Sequence, residues 1–173
     1  MSTIDSTYRA QVKTLCIANL PGITSEDQIY WVPQLNRENV QELFNSGDLS
    51  APFVTIALGA TSQEDTAGDV MTYRQPTAIY YVFDETDPGA YKNGVDASAG
   101  YDPIQYASNI GLAMKAAIRA YSGTAFAMWG DEAQFDSSDE NAANHVIYLS
   151  ERAFYSVAIT LNPMLGDFGA IQG

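Results

Sequence analysis

The chain has 173 residues, with 21 acidic and 8 basic side chains that give a formal charge of -13 at pH 7. So few Lys and Arg argue against a protein that holds nucleic acid through its phosphates, or anionic lipid through a basic stretch. No apolar run approaches the roughly 18 residues of a membrane span. The N-terminus lacks a signal-peptide pattern, and the single cysteine excludes an internal disulfide, so we expect one soluble domain made in a reducing cytosol.

The first quarter of the chain has the pattern of helices. An apolar stripe at helical spacing is formed by Ile4, Tyr8, Val12, Leu15 and Cys16. It predicts an amphipathic helix over residues 2–20, which Pro21-Gly22 ends. We expect a linker over 21–35 and then a short helix over 36–47.

The middle of the chain has the pattern of a β-hairpin. Residues 53–58 and 77–83 are rich in β-branched and aromatic residues, and both faces of each run are apolar, which predicts interior strands. The polar segment 59–69 lies between them and continues as a strand through Met71 and Tyr73. We therefore expect a hairpin with an extended tip.

A loop over 84–102 leads to the clearest helix of the sequence. Asp102 is placed to cap it and Pro103 to begin it, and apolar residues recur at helical spacing up to Tyr121. A short strand over 124–129 and an acidic loop through Asn144 are expected to follow.

The last part of the sequence predicts a second hairpin, formed by residues 145–149 and 153–161. A three-residue turn, Ser150-Glu151-Arg152, would pair Leu149 with Ala153 and Ile147 with Tyr155, and would place one apolar set on one face. We therefore prefer it to a two-residue turn. The tail after Leu161 cannot fold alone and is either frayed or docked.

Taken in order, these elements predict a single α+β domain over residues 1–173. Its parts are a helical segment over 2–47, a sheet with the helix 103–121 inside 52–162, and a tail over 163–173. We expect an antiparallel or mixed sheet of about four to five strands, backed by helices.

The residues that most often carry chemistry favour structural roles here. His145, the only histidine, opens a strand, and Cys16 lies on the apolar stripe of the first helix. The acidic segments 84–87 and 136–140 lack the ligand order of an EF-hand loop, although an irregular calcium site stays an alternative. We predict no catalytic residue, no cofactor and no metal.

Acidic residues concentrate in three predicted loops that contain no Lys or Arg: 59–69, 84–91 and 130–141. The eleven acids are Glu64, Asp65, Asp69, Asp84, Glu85, Asp87, Asp131, Glu132, Asp136, Asp139 and Glu140. One interpretation is solvated loop tips. The other is a negative rim or channel lining, beside which DNA could pass without being held.

Tyrosine occurs 11 times, whereas charged residues make up only 17% of the chain, against roughly 25% in typical soluble proteins. Part of the surface outside the loops is therefore expected to be covered by copies of the chain or by partners.

The sequence resembles the tail terminator proteins of long-tailed bacteriophages of the lambda type. The likeness is carried by Pro52-Phe53-Val54-Thr55-Ile56-Ala57-Leu58-Gly59-Ala60, an acidic loop, and Ala78-Ile79-Tyr80-Tyr81-Val82-Phe83. The helix 103–121 and the alternating strand 153–161 complete it. The linker 21–35, the loop 84–102 and the tail depart from the smaller members of that family.

The resemblance implies a subunit of a hexameric ring that caps the tail tube, fixes its length and joins it to the head. It implies as partners other copies of the chain, the tail tube protein, and head–tail connector or neck proteins. Genomic DNA would pass through the lumen without tight binding. The chain would lie in the tail or neck of the virion after assembly in the host cytoplasm, with no membrane partner.

Two other interpretations remain open. One is another neck, head-completion or tail-tube component. The other is an acidic carbohydrate-binding module or calcium-dependent enzyme that uses loop carboxylates.

Overall fold

The computed structural model describes residues 3–32, 50–64, 72–120, 146–149 and 152–165. Within them lie two long helices and eight strands in two sheets, which confirms the α+β class. The helices are α1, Thr3–Asn19, and α2, Pro103–Ala120. The strands are β1 Ile29–Val32, β2 Phe53–Leu58, β3 Ser62–Glu64, β4 Thr72–Arg74, β5 Thr77–Asp84, β6 Val146–Leu149, β7 Arg152–Leu161 and β8 Met164–Leu165.

The main sheet has five strands in the order β1-β2-β5-β7-β6. Its strands pair antiparallel, except that β1 runs parallel to β2. The sheet is therefore mixed, and β2, β5 and β7 are interior strands. Interior strands lie between two neighbours and bury residues on both faces, which is why β2 and β5 are mostly apolar.

Both helices pack on one face of the main sheet. Helix α1 contributes Tyr8, Val12, Leu15 and Cys16, all buried, as its stripe predicts. From the sheet, alternate residues of the interior strands point to the same core, among them Ile56, Ile79, Tyr81, Val157 and Ile159. Burying each large apolar side chain contributes about 1.5–3 kcal/mol to folding, so this layer supplies most of the driving force.

Helix α2 begins as its sequence predicts, because the Asp102 carboxylate accepts the backbone N–H of Gln105 at 3.1 Å. It buries one stripe, formed by Ala107, Ile110, Met114 and Ile118. The small Ala107 lets the helix approach the sheet closely. Neither described helix is both long and apolar enough to cross a membrane.

A turn after α1 brings the chain back to the sheet. Gly22 has φ +71°, and a Cβ there would lie 2.7 Å from Cγ of Pro52, so the position requires glycine. The Gln28 amide then donates to the carbonyls of Gly22 and Pro52 at 2.9 and 3.1 Å. These bonds hold the start of β1 beside the start of β2.

The opposite face of the main sheet is buried as well. A second apolar cluster there contains Phe53, Val82 and Phe154. Thr55 and Ser156 on the same face are 0% and 7% exposed. Both faces of the interior strands are thus removed from solvent.

The second sheet has the order β3-β4-β8 and extends the hairpin between β2 and β5. Where the two sheets meet, the Gly59 N–H donates to the Pro76 carbonyl at 2.7 Å. The buried Gln75 side chain donates to the Gly59 carbonyl at 2.8 Å, and its backbone N–H donates to the Pro163 carbonyl at 3.1 Å. Strands β3 and β4 therefore form an arm, the described part of the predicted extended hairpin, and residues 164–165 dock on it as its third strand.

Two sequence-based expectations are wrong. The linker 21–35 contains a short helical turn, Glu26–Gln28, and the strand β1. The final hairpin pairs Leu149 with Arg152 and Val146 with Tyr155, so its turn is the two-residue Ser150-Glu151, not the three-residue turn through Arg152. The predicted helix 36–47, the strand 124–129 and His145 lie outside the described residues.

Candidate functional site

Loop 84–102, which joins β5 to α2, contains three of the predicted acidic residues. Two of them have local structural roles. Asp84 is 4% exposed, and its Oδ1 accepts the Thr86 backbone N–H at 3.0 Å and the Thr86 hydroxyl at 2.5 Å. This carboxylate closes the turn that leaves β5 and is not a solvated loop tip.

Asp87 and Asp96 repeat this arrangement further along the loop. Asp87 Oδ1 accepts the Gly89 N–H at 2.8 Å, and Asp96 Oδ1 accepts the Ser98 N–H at 2.9 Å and its hydroxyl at 2.6 Å. The bonds from Ser98 lower the pKa of the exposed Asp96 carboxyl. Each aspartate thus caps a short helical turn, Pro88–Ala90 or Ala97–Ala99.

Aromatic rings fix loop 84–102 to the sheet. Phe83 stacks on Tyr155 at 5.5 Å between ring centroids and meets the edge of Tyr106 at 4.9 Å. Tyr101 lies 5.8 Å from Tyr155 and 5.2 Å from Tyr91. We call this group, together with Tyr81, the aromatic cluster; aromatic pairs at such distances add about 0.5–1.5 kcal/mol each beyond their burial.

The tyrosine hydroxyls of the aromatic cluster bind backbone and carboxylate oxygens. Tyr81 donates to the Pro21 carbonyl at 2.9 Å, and Tyr101 donates to the Asp84 carbonyl at the same distance. The Tyr106 hydroxyl is 3.4 Å from Asp87 Oδ2. The end of α1, the end of β5 and the start of α2 are therefore joined through one group of rings.

Three tyrosines of the cluster, Tyr81, Tyr101 and Tyr106, stay protonated near neutral pH. Burial raises the pKa of Tyr106 to about 12. Burial is also the largest cause that raises the pKa of Tyr81, followed by the neighbouring Tyr106 and Asp87, and burial raises the pKa of Tyr101 in the same way. A group that must accept a proton near neutral pH needs the opposite shift, so these hydroxyls act as donors that hold the loop.

Among the acids of this loop, Glu85 is the one that matches the predicted charged rim, because its side chain is exposed while Asp84 and Asp87 are engaged. Glu64 ends strand β3 in the arm, which places its backbone. The remaining predicted rim residues lie outside the described residues: Asp65, Asp69, Asp131, Glu132, Asp136, Asp139 and Glu140.

Two further kinds of group could carry chemistry in the described residues: clusters of metal ligands and the thiol of Cys16. In the described part of the chain, no three His, Cys, Asp or Glu side chains come together as a metal site. Cys16 is fully buried in the helix layer, and burial raises the pKa of its thiol to about 12. A thiol that stays protonated and covered is a small apolar core residue, as its place on the stripe of α1 predicts.

Sequence reasoning missed a surface on helix α2. The outward face of α2 exposes Leu112 and Ile104, and it carries Lys115 but no acid. The signal was present in the sequence, because residues 103–120 contain two bases and no acid in a chain with 21 acids. The number of acids in each loop does not indicate this surface, whereas the number of bases in each helix does.

No family model, curated protein or solved structure matches this chain.

Proposed function

We propose that the chain is a structural virion protein, a tail terminator whose copies form a ring that caps the tail tube and joins it to the head or neck. The observation that carries the proposal is the order of the described elements. A helix, an apolar strand, an extended hairpin arm, an aromatic strand, a loop, a long helix and a closing strand follow each other as in the resemblance.

Charge placement also supports the proposal. Copies of a chain with formal charge -13 present a negative ring, and DNA moving through such a ring is repelled from the wall and not trapped on it. The described strands of the arm and loop 84–102 are held by hydrogen bonds and ring contacts, so the backbone at Glu64 and at Glu85 is fixed. The subunit contacts the tail tube on one side and connector or neck proteins on the other.

The direct test combines the purified chain with tail tubes assembled from the tube protein encoded alongside it. Light scattering after size exclusion measures the assembly, and electron microscopy measures capped tube ends. We expect a ring and tubes of one length. A chain that stays monomeric at high concentration and leaves tube ends open contradicts the proposal.

The arm provides a sharper variant. We expect Glu64→Lys with Asp65→Lys to impair assembly or DNA passage while circular dichroism shows an unchanged subunit fold, because both residues belong to the acidic segment 59–69. For Glu64→Lys alone, the matched control is Asp27→Lys, an exposed acid outside the three acidic segments. Normal virion yield from the double variant would exclude a lumen or interface role for the arm.

A further inference from the structure

Charge in this protein is divided between the helix layer and the rest of the chain. The two helices contain four bases, Arg9, Lys13, Lys115 and Arg119, and one acid, Asp5. The rest of the chain contains four bases and twenty acids. The helices therefore have a formal charge of +3, against -16 for everything else.

The bases of α1 have partners inside the same molecule. The Lys13 ammonium pairs with the Glu26 carboxylate, and the Arg9 guanidinium lies over the Trp31 ring at 4.7 Å from its centroid. Among the described residues, Lys115 of α2 makes no ion pair. Among the described side chains, the base of the helix layer without an ion-pair partner is therefore Lys115.

The same side of α2 is apolar. Leu112 is 64% exposed and Ile104 is 57% exposed, and at helical spacing they border Gln105, Asn109 and Ala116, which are also exposed. Single exposed apolar residues need no explanation. A surface helix with two bases, no acid and two exposed large apolar side chains is unusual in a chain this acidic, and it resembles the core of an interface in composition.

A complementary surface lies in loop 84–102. It exposes Glu85 and Asp96 together with Val95, which is 81% exposed. This loop enters α2 at Pro103, whereas Lys115 lies twelve residues further along, about 18 Å at 1.5 Å per residue. That rise exceeds the screening length of about 8 Å at physiological salt, and among the described residues Lys115 forms no ion pair with an acid of the loop.

We propose that the exposed face of α2 binds loop 84–102 of a second copy of this chain, with Lys115 beside its acids and Leu112 against its Val95. In a pair of copies joined in this way, one copy still has a free α2 face and the other still has a free loop 84–102. Such a head-to-tail contact can therefore add further copies, and it closes into a ring or continues as a filament. The inference rests on the proposed function for closure into a ring, while the pairwise contact can be measured alone.

The test is sedimentation velocity of the full chain over a concentration series, with circular dichroism to verify the fold of each variant. We expect Lys115→Glu, Glu85→Lys and Leu112→Gln each to weaken self-association at least about tenfold, since like charges face each other or apolar contact is lost. Lys92→Glu is the matched control. It changes the net charge as Lys115→Glu does but adds the acid to loop 84–102, the side that faces Lys115, so association should not fall below that of the wild type.

Mixing gives the decisive result. Lys115→Glu and Glu85→Lys protein, each weak alone, should associate with each other, because every contact between them again joins opposite charges. A monomeric wild type, equal weakening by Lys115→Glu and Lys92→Glu, or no recovery on mixing would overturn the inference. Association through this face without capping of tail tubes would overturn the proposed function and leave the interface standing.

Discussion

At the scale of single residues, two buried threonines on neighbouring strands differ in one respect. Thr77 on β5 accepts a hydrogen bond from the Tyr8 hydroxyl at 2.6 Å and donates to the Gln75 carbonyl at 3.0 Å. Thr55 on β2 is fully buried, but its hydroxyl has no hydrogen-bond partner among the described residues. The same side chain therefore stabilises one site and is a cost at the other.

Replacing each threonine with valine should have opposite effects. Thr55→Val removes an unsatisfied hydroxyl and should raise the free energy of unfolding by about 1 kcal/mol. Thr77→Val leaves Tyr8 without its partner and should lower it by about 1–3 kcal/mol. Urea denaturation of the two variants checks this, and a loss of stability in Thr55→Val would show that its hydroxyl has a partner.

Cys16 gives a second prediction at this scale. Its thiol is fully buried, and burial raises its pKa to about 12. At pH 8 a thiol reagent therefore cannot reach the sulfur, and the sulfur is not in the reactive thiolate form. We expect negligible labelling of the native chain and complete labelling in concentrated urea. Rapid labelling without denaturant would contradict the packing of α1 on the sheet.

At the scale of elements, loop 84–102 depends on close contact between a glycine and a ring. A Cβ on Gly89 would lie 2.8 Å from the Tyr106 ring, which also contacts the Phe83 ring at 4.9 Å between centroids. Gly89→Ala should therefore lower the free energy of unfolding by about 1–3 kcal/mol, the usual cost of overpacking. Thermal unfolding measures it.

A double-mutant cycle identifies the cause of that loss. In a Tyr106→Leu background the ring is gone, and the additional effect of Gly89→Ala should become small. An equal loss in both backgrounds would show that the alanine acts on the backbone of the turn and not through the ring.

The same elements show how far sequence reasoning extends. Helices α1 and α2 were predictable because each combines a stripe at 3.6-residue spacing with a signal for one of its ends, Pro21-Gly22 after α1 and Asp102-Pro103 at the start of α2. Strand β1 was not, because Ile29 to Val32 is too short to show alternation and its pairing is with β2, more than twenty residues away. Local patterns do not encode such pairing.

The register of the last hairpin failed for a related reason. The prediction assumed that β7 has one buried face, so alternation would select a single register. In the structure Phe154, Ser156 and Ala158 are buried along with Val157 and Ile159 on the opposite side. A strand buried on both faces accepts either register, so the turn decides.

The candidate site was predictable in part. The acidic composition of loop 84–102 was evident, but counting charges treats every carboxylate as solvated. Asp84, Asp87 and Asp96 each precede by two residues a Thr, Gly or Ser whose backbone N–H they accept, which is a sequence signal for turn formation. The aromatic cluster brings together residues far apart in sequence, and no local pattern predicts that.

At the scale of the whole molecule, the buried tyrosine and cysteine side chains with raised pKa values predict a loss of stability at alkaline pH. Burial raises the pKa of Tyr8, and it raises those of Cys16 and Tyr106 to about 12. In the unfolded chain cysteine and tyrosine lose their protons near pH 8.5 and 10, roughly. Above these values the unfolded state binds fewer protons than the folded state, so stability falls as pH rises, by about 1.4 kcal/mol per pH unit for each fully buried group.

We therefore expect a constant melting temperature up to about pH 8, a decline above about pH 8.5 as Cys16 contributes, and a steeper decline between about pH 10 and 12 as the tyrosines contribute. Absorbance of ionised tyrosine and circular dichroism, recorded together, should change in one transition for the buried tyrosines. If these tyrosines ionised near pH 10 while the dichroism stayed native, the aromatic cluster would be open to solvent.

The central place of β5 in the main sheet has a consequence for opening motions. Its backbone pairs with β2 over Thr77 to Val82 and with β7 over Thr77 to Asp84, so its amides are shielded on both sides. Deuterium should replace their hydrogens only at the rate of global unfolding, and those of β1 and β6 through smaller openings at the sheet edges. Because β5 continues directly into loop 84–102, that loop is attached to the slowest-exchanging part of the chain.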